Sequence, residues 1–441
     1  MAVTTARLTL GVVAGLWRKV LGLIARRIRV GAPDASIGWV DAACHGLVDG
    51  FEHLGPTWVK IGQIVASSPG LFPRPLADAC QRTLDEVPPF DIATARRIIC
   101  DDLGRAPEEI FTRFDEEPLS AASVGQVHAC ELPDGRQAVL KLQRPGVRDL
   151  FTVDFRIMYR LARLLARIPQ LQGMNAVAIV QDAHDVAFSE LNPALEAQRQ
   201  HDFRSKIGAF GDNLWVTAPE VYWNYCGARV ICMERMSGVP MDEFDELERR
   251  RVDGELVLRR GAKVWIEAVC LHGPFHGDMH AGNIWVLDDG RGSYLDFGIM
   301  GELPEIYRDV VKDILYTTMI DRDFTRIARA YRRVGVFPAD IGTDEELGMR
   351  LGMILGPMLD SGMSGLNLAD MIKMSIDLMD NYQAVAPPEM ALIVKQLAYI
   401  ERYAKSLAPD YSLIGDLFLI SNIFPDEVAA RVDQLGVTLP V

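Results

Sequence analysis

The stretch HGDMHAGNIWVLDDGRGSYLDFG, residues 276–298, gathers two histidines, an asparagine and four aspartates. Two chemistries compete for it. The first is a metal centre from His272, His276 and His280, spaced four apart as ligands on one helical face would be. Gly273, Pro274 and Gly277 interrupt that helix, and no HExxH pattern is present, so the spacing argues against zinc. The second is phosphate handling. Nucleotide phosphates repel an attacking oxygen, so divalent ions must neutralise them, and such ions take hard oxygen ligands. An asparagine amide and an aspartate carboxylate supply those ligands, and a further aspartate can orient or deprotonate the nucleophile.

The spacing favours the second chemistry. Asp278 and Asn283 stand five apart in a glycine-containing loop. The apolar run IWVL follows, the turn DDGRG leads into SYLDFG, and Asp296 lies thirteen residues beyond Asn283. Loop, strand, turn and strand in this order form the pattern of a kinase catalytic loop followed by a metal-binding Asp-Phe-Gly segment. Such a site needs a lysine on a strand, a loop over the phosphates and a glutamate on a helix. Lys141 in QAVLKLQ, the segment SAASVGQ and Glu196 in NPALEAQRQ occur in the required order. SAASVGQ is unusual, because Ala121 and Ala122 stand where glycines would let the backbone approach phosphate, and only Gly125 remains.

The elements that must position these residues fall into three regions. Residues 36–116 read as helices. Pro56 suits a first helical turn, and DIATARRIICDDLG has Asp91 at its cap and Gly104 at its end. LSAASVGQVHACEL and RQAVLKLQR alternate around the turn PDG, which predicts a hairpin. Helical stretches are expected over 147–168 and 175–207, then strands in NLWVTAPEVYW and ARVICMERM. Beyond Gly238 the pattern is mostly helical. After Asp-Phe-Gly, helical patterning resumes at PEIYRDVVKDILYTTMI with no activation segment to seat a peptide. Residues 349–379 hold seven methionines, which suit either a greasy ligand or a loosely specified helical core.

The 441 residues, 49% of them apolar, allow two or three packed domains. A net charge of −14 makes nucleic acid a poor partner. The seven scattered cysteines, without CxxC, fit reduced thiols in the cytoplasm. No window supports a transmembrane helix. Residues 1–30 carry Arg7, Arg18, Lys19, Arg26, Arg27 and Arg29 and no acid. Five of these bases fall within roughly a 120° arc of a helix. That segment reads either as a helix on the inner face of an anionic membrane or as an amphipathic helix docked on the protein.

The chain resembles the UbiB family of atypical kinases, the aarF-domain group associated with coenzyme Q biosynthesis. The resemblance is carried by KIGQ (60–63), LDEVPPF (84–90), PLSAASVGQVHACELPDGRQAVLKLQRPGV (118–147), ELNPALEAQ (190–198), FHGDMHAGNIWV (275–286), LDFGIMGEL (295–303) and YIERYAKSLAPDYSL (399–413). It implies an α+β, bilobal protein-kinase-like fold. Residues 1–30 would be a basic segment, 31–116 a helical KxGQ extension, 117–235 the small lobe and 236–441 the mostly helical large lobe. It implies ATP or ADP with Mg2+ as cofactors. Lys141 would hold the phosphates and pair with Glu196. Asn283 and Asp296 would bind magnesium, and Asp278 would take the catalytic position. Ala121, Ala122, Ser123 and Gly125 would form the phosphate loop, with Met233 and Glu234 at the adenine hinge. Lys60 and Gln63 would reach in from the extension, Lys60 pairing with Glu190.

The expected function is an ATP- and magnesium-dependent kinase or ATPase supporting isoprenoid-quinone or related membrane-lipid metabolism, with a lipid or quinone precursor as partner. A nucleotide-gated pseudokinase and a Ser/Thr protein kinase acting in trans are the alternatives. Two departures from the family pattern stand out. Its ExD motif reads ELN here, so Asn192 removes one negative charge, and Met279 stands where proline is common.

Overall fold

Polar and apolar residues alternate along QAVLKLQ, and the fold turns that alternation into the two faces of a sheet. The computed structural model describes Ala14 and residues 38–54, 56–66, 74–80, 88–167, 176–338, 340–360, 388–411 and 413–440. The basic segment 1–30, apart from Ala14, and residues 361–379 of the methionine-rich stretch lie outside the described residues. Two compact units form: Met1–Leu195 with Val221–Arg235, and Glu196–Glu220 with Met236–Val441.

In the first unit, helices α1 (Trp39–Leu54), α2 (Pro56–Ala66) and α3 (Arg74–Cys80) pack on one another. Helix α4 (Ile92–Leu103) has the expected ends. Asp91 accepts the Thr94 N–H at 2.8 Å, and Gly104 closes the helix at φ 74°. Strands β1 (Arg113–Phe114), β2 (Ser120–Ala121), β3 (Gly125–Glu131) and β4 (Gln137–Gln143) follow. β5 (Val216–Thr217) belongs to the second unit, and β6 (Val230–Glu234) returns to complete the first sheet, in the order β1-β3-β4-β6 with β2 also on β3. Ile98 and Ile99 of α4 pack with Leu140, Leu142, Val230 and Cys232 on one face. Val139 and Lys141 therefore lie on the other, and a one-residue slip would exchange the two sets.

Helices α5 (Val147–Leu165) and α6 (Ala176–Ser189) join α1 and α2 around Phe51, Trp58, Phe151 and Phe155. The helix expected over 175–207 is in fact two. α6 ends at Ser189, Glu190–Asn192 form a turn, and α7 (Pro193–Ala209) begins anew. Pro193, which lacks an N–H, occupies the first turn, where none is needed.

The second unit holds a sheet ordered β5-β10-β9-β7, from β7 (Gly238–Pro240), β9 (Ile284–Leu287) and β10 (Gly292–Tyr294). β8 (Phe275–His276) pairs with β11 (Met300–Gly301). Of the strand expected in NLWVTAPEVYW only Val216–Thr217 forms. Pro219 cannot donate to a ladder, and Trp223–Tyr225 is a 3-10 turn. The longer helices are α8 (Gly254–Glu267), α9 (Glu305–Tyr316), α10 (Phe324–Arg333), α11 (Asp344–Asp360), α12 (Pro388–Leu407) and α13 (Pro425–Leu435). Among the described residues, no helix is long and apolar enough to cross a membrane.

A polar knot secures α8. The Lys263 ammonium, fully buried, meets Glu267 at 2.6 Å, Asp212 at 2.8 Å and the Asn213 side-chain oxygen at 3.0 Å. Asn213 and Asn422 each donate an amide N–H to the Glu267 carboxylate at 2.7 Å. All the buried charge in this knot is paired, as its removal from water demands.

Candidate active site

Lys141 is placed by register. On β4 it stands opposite Val127 of β3 and Ile231 of β6, while Val139 stands opposite Ala129 and Met233. Cross-strand partners share a face, so Lys141 rises from an apolar strip bounded by Met233, with Glu234 one residue further along β6. The loop before β3 is a tight turn in which the Ala122 N–H donates to the Gly125 carbonyl at 2.8 Å. Arg144 anchors it, donating from its backbone N–H to the Val124 carbonyl at 2.8 Å and from its guanidinium to the Ala122 carbonyl at 3.2 Å. Ala121 pairs with Gln126, and Ser123 is buried.

Gly125 has a reason that the sequence reading did not supply. A Cβ there would lie 2.5 Å from the Leu142 carbonyl oxygen, so the close approach of β3 to β4 requires glycine. Gln126, also buried, accepts the Phe90 N–H at 2.9 Å and thereby ties the PPF segment to this sheet.

Lys60 and Gln63 lie on α2, which packs against α5 and α6. Glu190 directly follows α6. The helix bearing Lys60 is thus brought against the helix whose end carries Glu190. Asn192 caps α7, its side-chain oxygen accepting the Leu195 N–H at 3.2 Å.

In the second unit, Glu196 is buried on α7, one turn before Arg199. Burial lowers the pKa of Arg199, and the Glu196 carboxylate partly offsets it. Arg199 donates to the Gly298 carbonyl at 2.8 Å, linking α7 to the Asp-Phe-Gly segment. Phe297 of that segment is fully buried, with ring centroids 5.4 Å from Phe203 of α7 and 5.3 Å from His276.

His276 organises the loop. Its Nδ1 accepts the Asp278 N–H at 3.3 Å, and its Nε2 donates to the carbonyls of Leu295 at 2.9 Å and Asp296 at 3.0 Å. These bonds fix the tautomer, and burial depresses the pKa, so the ring is a neutral brace. No lone pair remains for a metal. His280 lies in the loop with its side chain 46% exposed, and His272 ends a π-helical turn, its pKa lowered to about 4 by burial and then by Lys206. Among the described residues no group of three or more His, Cys, Asp and Glu is arranged to hold a metal ion.

The brace brings Asp278, Asn283 and Asp296 together. The Asn283 side-chain N–H donates to the Asp278 carbonyl at 3.0 Å, and the Asn283 carbonyl accepts the Leu295 N–H at 2.7 Å. Asp296 has φ 52°, a conformation costly for a side-chain-bearing residue. Its carboxylate accepts the Gly298 N–H at 3.1 Å. With its amide nitrogen committed, Asn283 presents an oxygen. Two protein oxygens fit a magnesium ion that completes its shell with phosphate and water, rather than a closed protein cage.

Helix α12 contributes side chains that the sequence reading missed. The Lys395 ammonium lies 3.1 Å from Asp278 Oδ1. The Gln396 side chain accepts the Met279 N–H at 2.8 Å and donates to the Gly277 carbonyl at 2.6 Å, and the Tyr403 hydroxyl donates to the Met279 carbonyl at 2.8 Å. Burial first, with the Asp278 charge second, pushes the Tyr399 pKa up to about 12.

Comparison with known proteins identifies the family. The ABC1 atypical kinase-like domain matches residues 82–331, and the UbiB helical domain matches residues 351–412. The chain belongs to the ABC1 atypical kinase-like family. The UbiB helical domain includes α12, so the clamp on residues 277–279 comes from that part of the chain. Uncharacterized protein Rv0647c of Mycobacterium tuberculosis is 33% identical over 86% of this chain and 77% of its own. A probable protein kinase UbiB of Erwinia tasmaniensis is 30% identical over 82% and 67%. An uncharacterized chloroplastic aarF domain-containing protein kinase of Arabidopsis thaliana is 28% identical over 83% and 72%. Among solved structures, the complex of Rv3197 with erythromycin from Mycobacterium tuberculosis aligns with a TM-score of 0.52 at 22% identity, covering 79% of this chain and 87% of that one. That likeness supports the kinase-like α+β fold.

Proposed function

We propose that this UbiB-type chain uses ATP and Mg2+ for phosphoryl transfer or ATP hydrolysis, in support of isoprenoid-quinone or related membrane-lipid metabolism. The observation that carries the reading is the hydrogen-bond ladder through His276 that holds Asp278, Asn283 and Asp296 in one place. In this reading, Asn283 and Asp296 hold magnesium, which when bound shields the phosphate charge. Lys141 grips the phosphates and Glu196 positions it. Ala121, Ala122, Ser123 and Gly125 cover the phosphates, and Met233 and Glu234 line the adenine. Asp278 orients the attacking oxygen. Lys60 and Gln63, with Glu190, guard the site from the helical extension. Only eight residues separate Asp296 from the start of α9, which leaves little chain for seating a peptide and favours a small acceptor such as a lipid or quinone precursor. The basic residues of 1–30 would hold the chain to an anionic membrane surface. Asn192 weighs little toward a non-enzymatic module, because its amide already serves as a helix cap.

Lys141→Ala and Asp296→Asn test the reading. Nucleotide at 100 times Kd stabilises a protein by about 2.7 kcal/mol. Each variant should lose that thermal stabilisation by MgATP and should release no phosphate. Binding and turnover unchanged in both would defeat the proposal. Phosphate release that rises with quinone-like phenols or lipid vesicles would support the metabolic assignment, and indifference to both would remove it.

A further inference from the structure

We propose that Lys395, supplied by the UbiB helical domain, is a positioning residue for the Asp278 carboxylate, so that this domain completes the active site. The inference rests on the phosphoryl-transfer reading above. Lys395 Nζ lies 3.1 Å from Asp278 Oδ1, and the two side chains are 23% and 20% exposed. Both ends keep some contact with solvent, so the pair is open to an incoming acceptor rather than sealed in the core.

The lysine is nevertheless held in place. Its neighbour Gln396 is fully buried and binds the backbone on both sides of Asp278, at Gly277 and Met279, and Tyr403 binds Met279 again one helical stretch later. Three hydrogen bonds from α12 therefore bracket a single aspartate, and the only charge α12 brings within ion-pair distance of that carboxylate, among the described residues, is Lys395. His280 Nε2 stands 3.6 Å from the other oxygen, Oδ2. Among the described residues, His276, Tyr399 and Tyr403 also feel the Asp278 charge. The ammonium on Oδ1 sets how the carboxylate is presented to an acceptor.

The step this serves balances simply. The acceptor oxygen, from a hydroxyl or water, forms a bond to the γ-phosphorus of ATP while the bond from that phosphorus to the bridging oxygen breaks. The electron pair leaves with ADP, and the acceptor's proton passes to the Asp278 carboxylate. Lys395 touches neither phosphorus nor acceptor in this scheme; it acts through Asp278.

Steady-state phosphate release by the full chain, with Lys395→Met, Lys395→Arg, Asp278→Asn and the Asp278→Asn/Lys395→Met double variant, tests this. Misplacement of a catalytic group costs on the order of 10–100-fold in rate. Lys395→Met should lose that much kcat with KM for ATP within about twofold. Lys395→Arg should recover most of it, and the double variant should be no worse than Asp278→Asn alone. Thermal midpoints should stay near wild type in all four. Wild-type kcat in Lys395→Met would overturn the inference, as would an equal loss in the Arg and Met variants accompanied by a lowered midpoint, which would mark a packing role. A wild-type chain that releases no phosphate would instead overturn the phosphoryl-transfer reading, and this inference with it.

Discussion

Lys263→Met offers a quantitative check on the scaffold beneath the site. The side chain is fully buried, and its replacement keeps the volume while removing one charge. Glu267, also fully buried, then loses a partner at 2.6 Å. Breaking a buried ion pair from one side costs about 3–5 kcal/mol, because the remaining charge is stranded. Here the low end, about 3 kcal/mol, applies, since Asn213 and Asn422 still donate to Glu267. Adding Glu267→Gln removes the stranded charge and should recover at least about 1 kcal/mol, so that the two changes are non-additive. Urea unfolding followed by tryptophan fluorescence reads this out, and Trp265 lies buried in the same helix. A destabilisation below about 1 kcal/mol in the single variant, or strict additivity in the pair, would refute the reasoning. The effect should also reach the loop that carries Asp278, since the Trp265 indole donates to the His276 carbonyl at 3.0 Å.

Two further outcomes are expected. Asn192→Ala should cost about 1 kcal/mol by uncapping α7, whereas Asn192→Asp, which keeps an acceptor at the cap, should leave the urea midpoint near wild type. His272, with its pKa lowered to about 4, binds a proton more readily when unfolded, so its contribution is complete above about pH 6.5 and is lost as pH falls toward 4. After allowance for its partial exposure, His272→Leu should lessen the stability lost between pH 7 and pH 5 by about 1 kcal/mol; an acid limb of unchanged slope would refute this.

The loop that gathers Asp278, Asn283 and Asp296 was legible because its signals are local. Asp278, Asn283 and Asp296 sit within nineteen positions of one another, and their residue types, spacing and intervening strands all carry information. The α4 caps and the β3–β4 hairpin were legible for the same reason: turn and cap residues act on their immediate neighbours. What distant residues decide was not. Gly125 looked like a surviving phosphate-loop glycine, yet the Leu142 carbonyl of the adjacent strand accounts for it. His276 looked like a weak metal ligand until its two nitrogens were matched to backbone partners on either side of the loop. Lys395 and Gln396 read as ordinary polar positions of a helix, and nothing near them in sequence signals a partner more than a hundred residues upstream. The single helix expected over 175–207 failed at Pro193, where residues on both sides favour helix and only the proline marks the restart.

The bond from the Met279 N–H to Gln396 spans 117 residues, and it has a consequence for synthesis. A ribosome adds roughly 5–20 residues per second. The loop around Asp278 therefore leaves the ribosome about 6–25 seconds before the helix that fastens it. Until then a nascent chain cannot hold Asp278 in its final setting. Competence would arrive only once α12 docks on that loop.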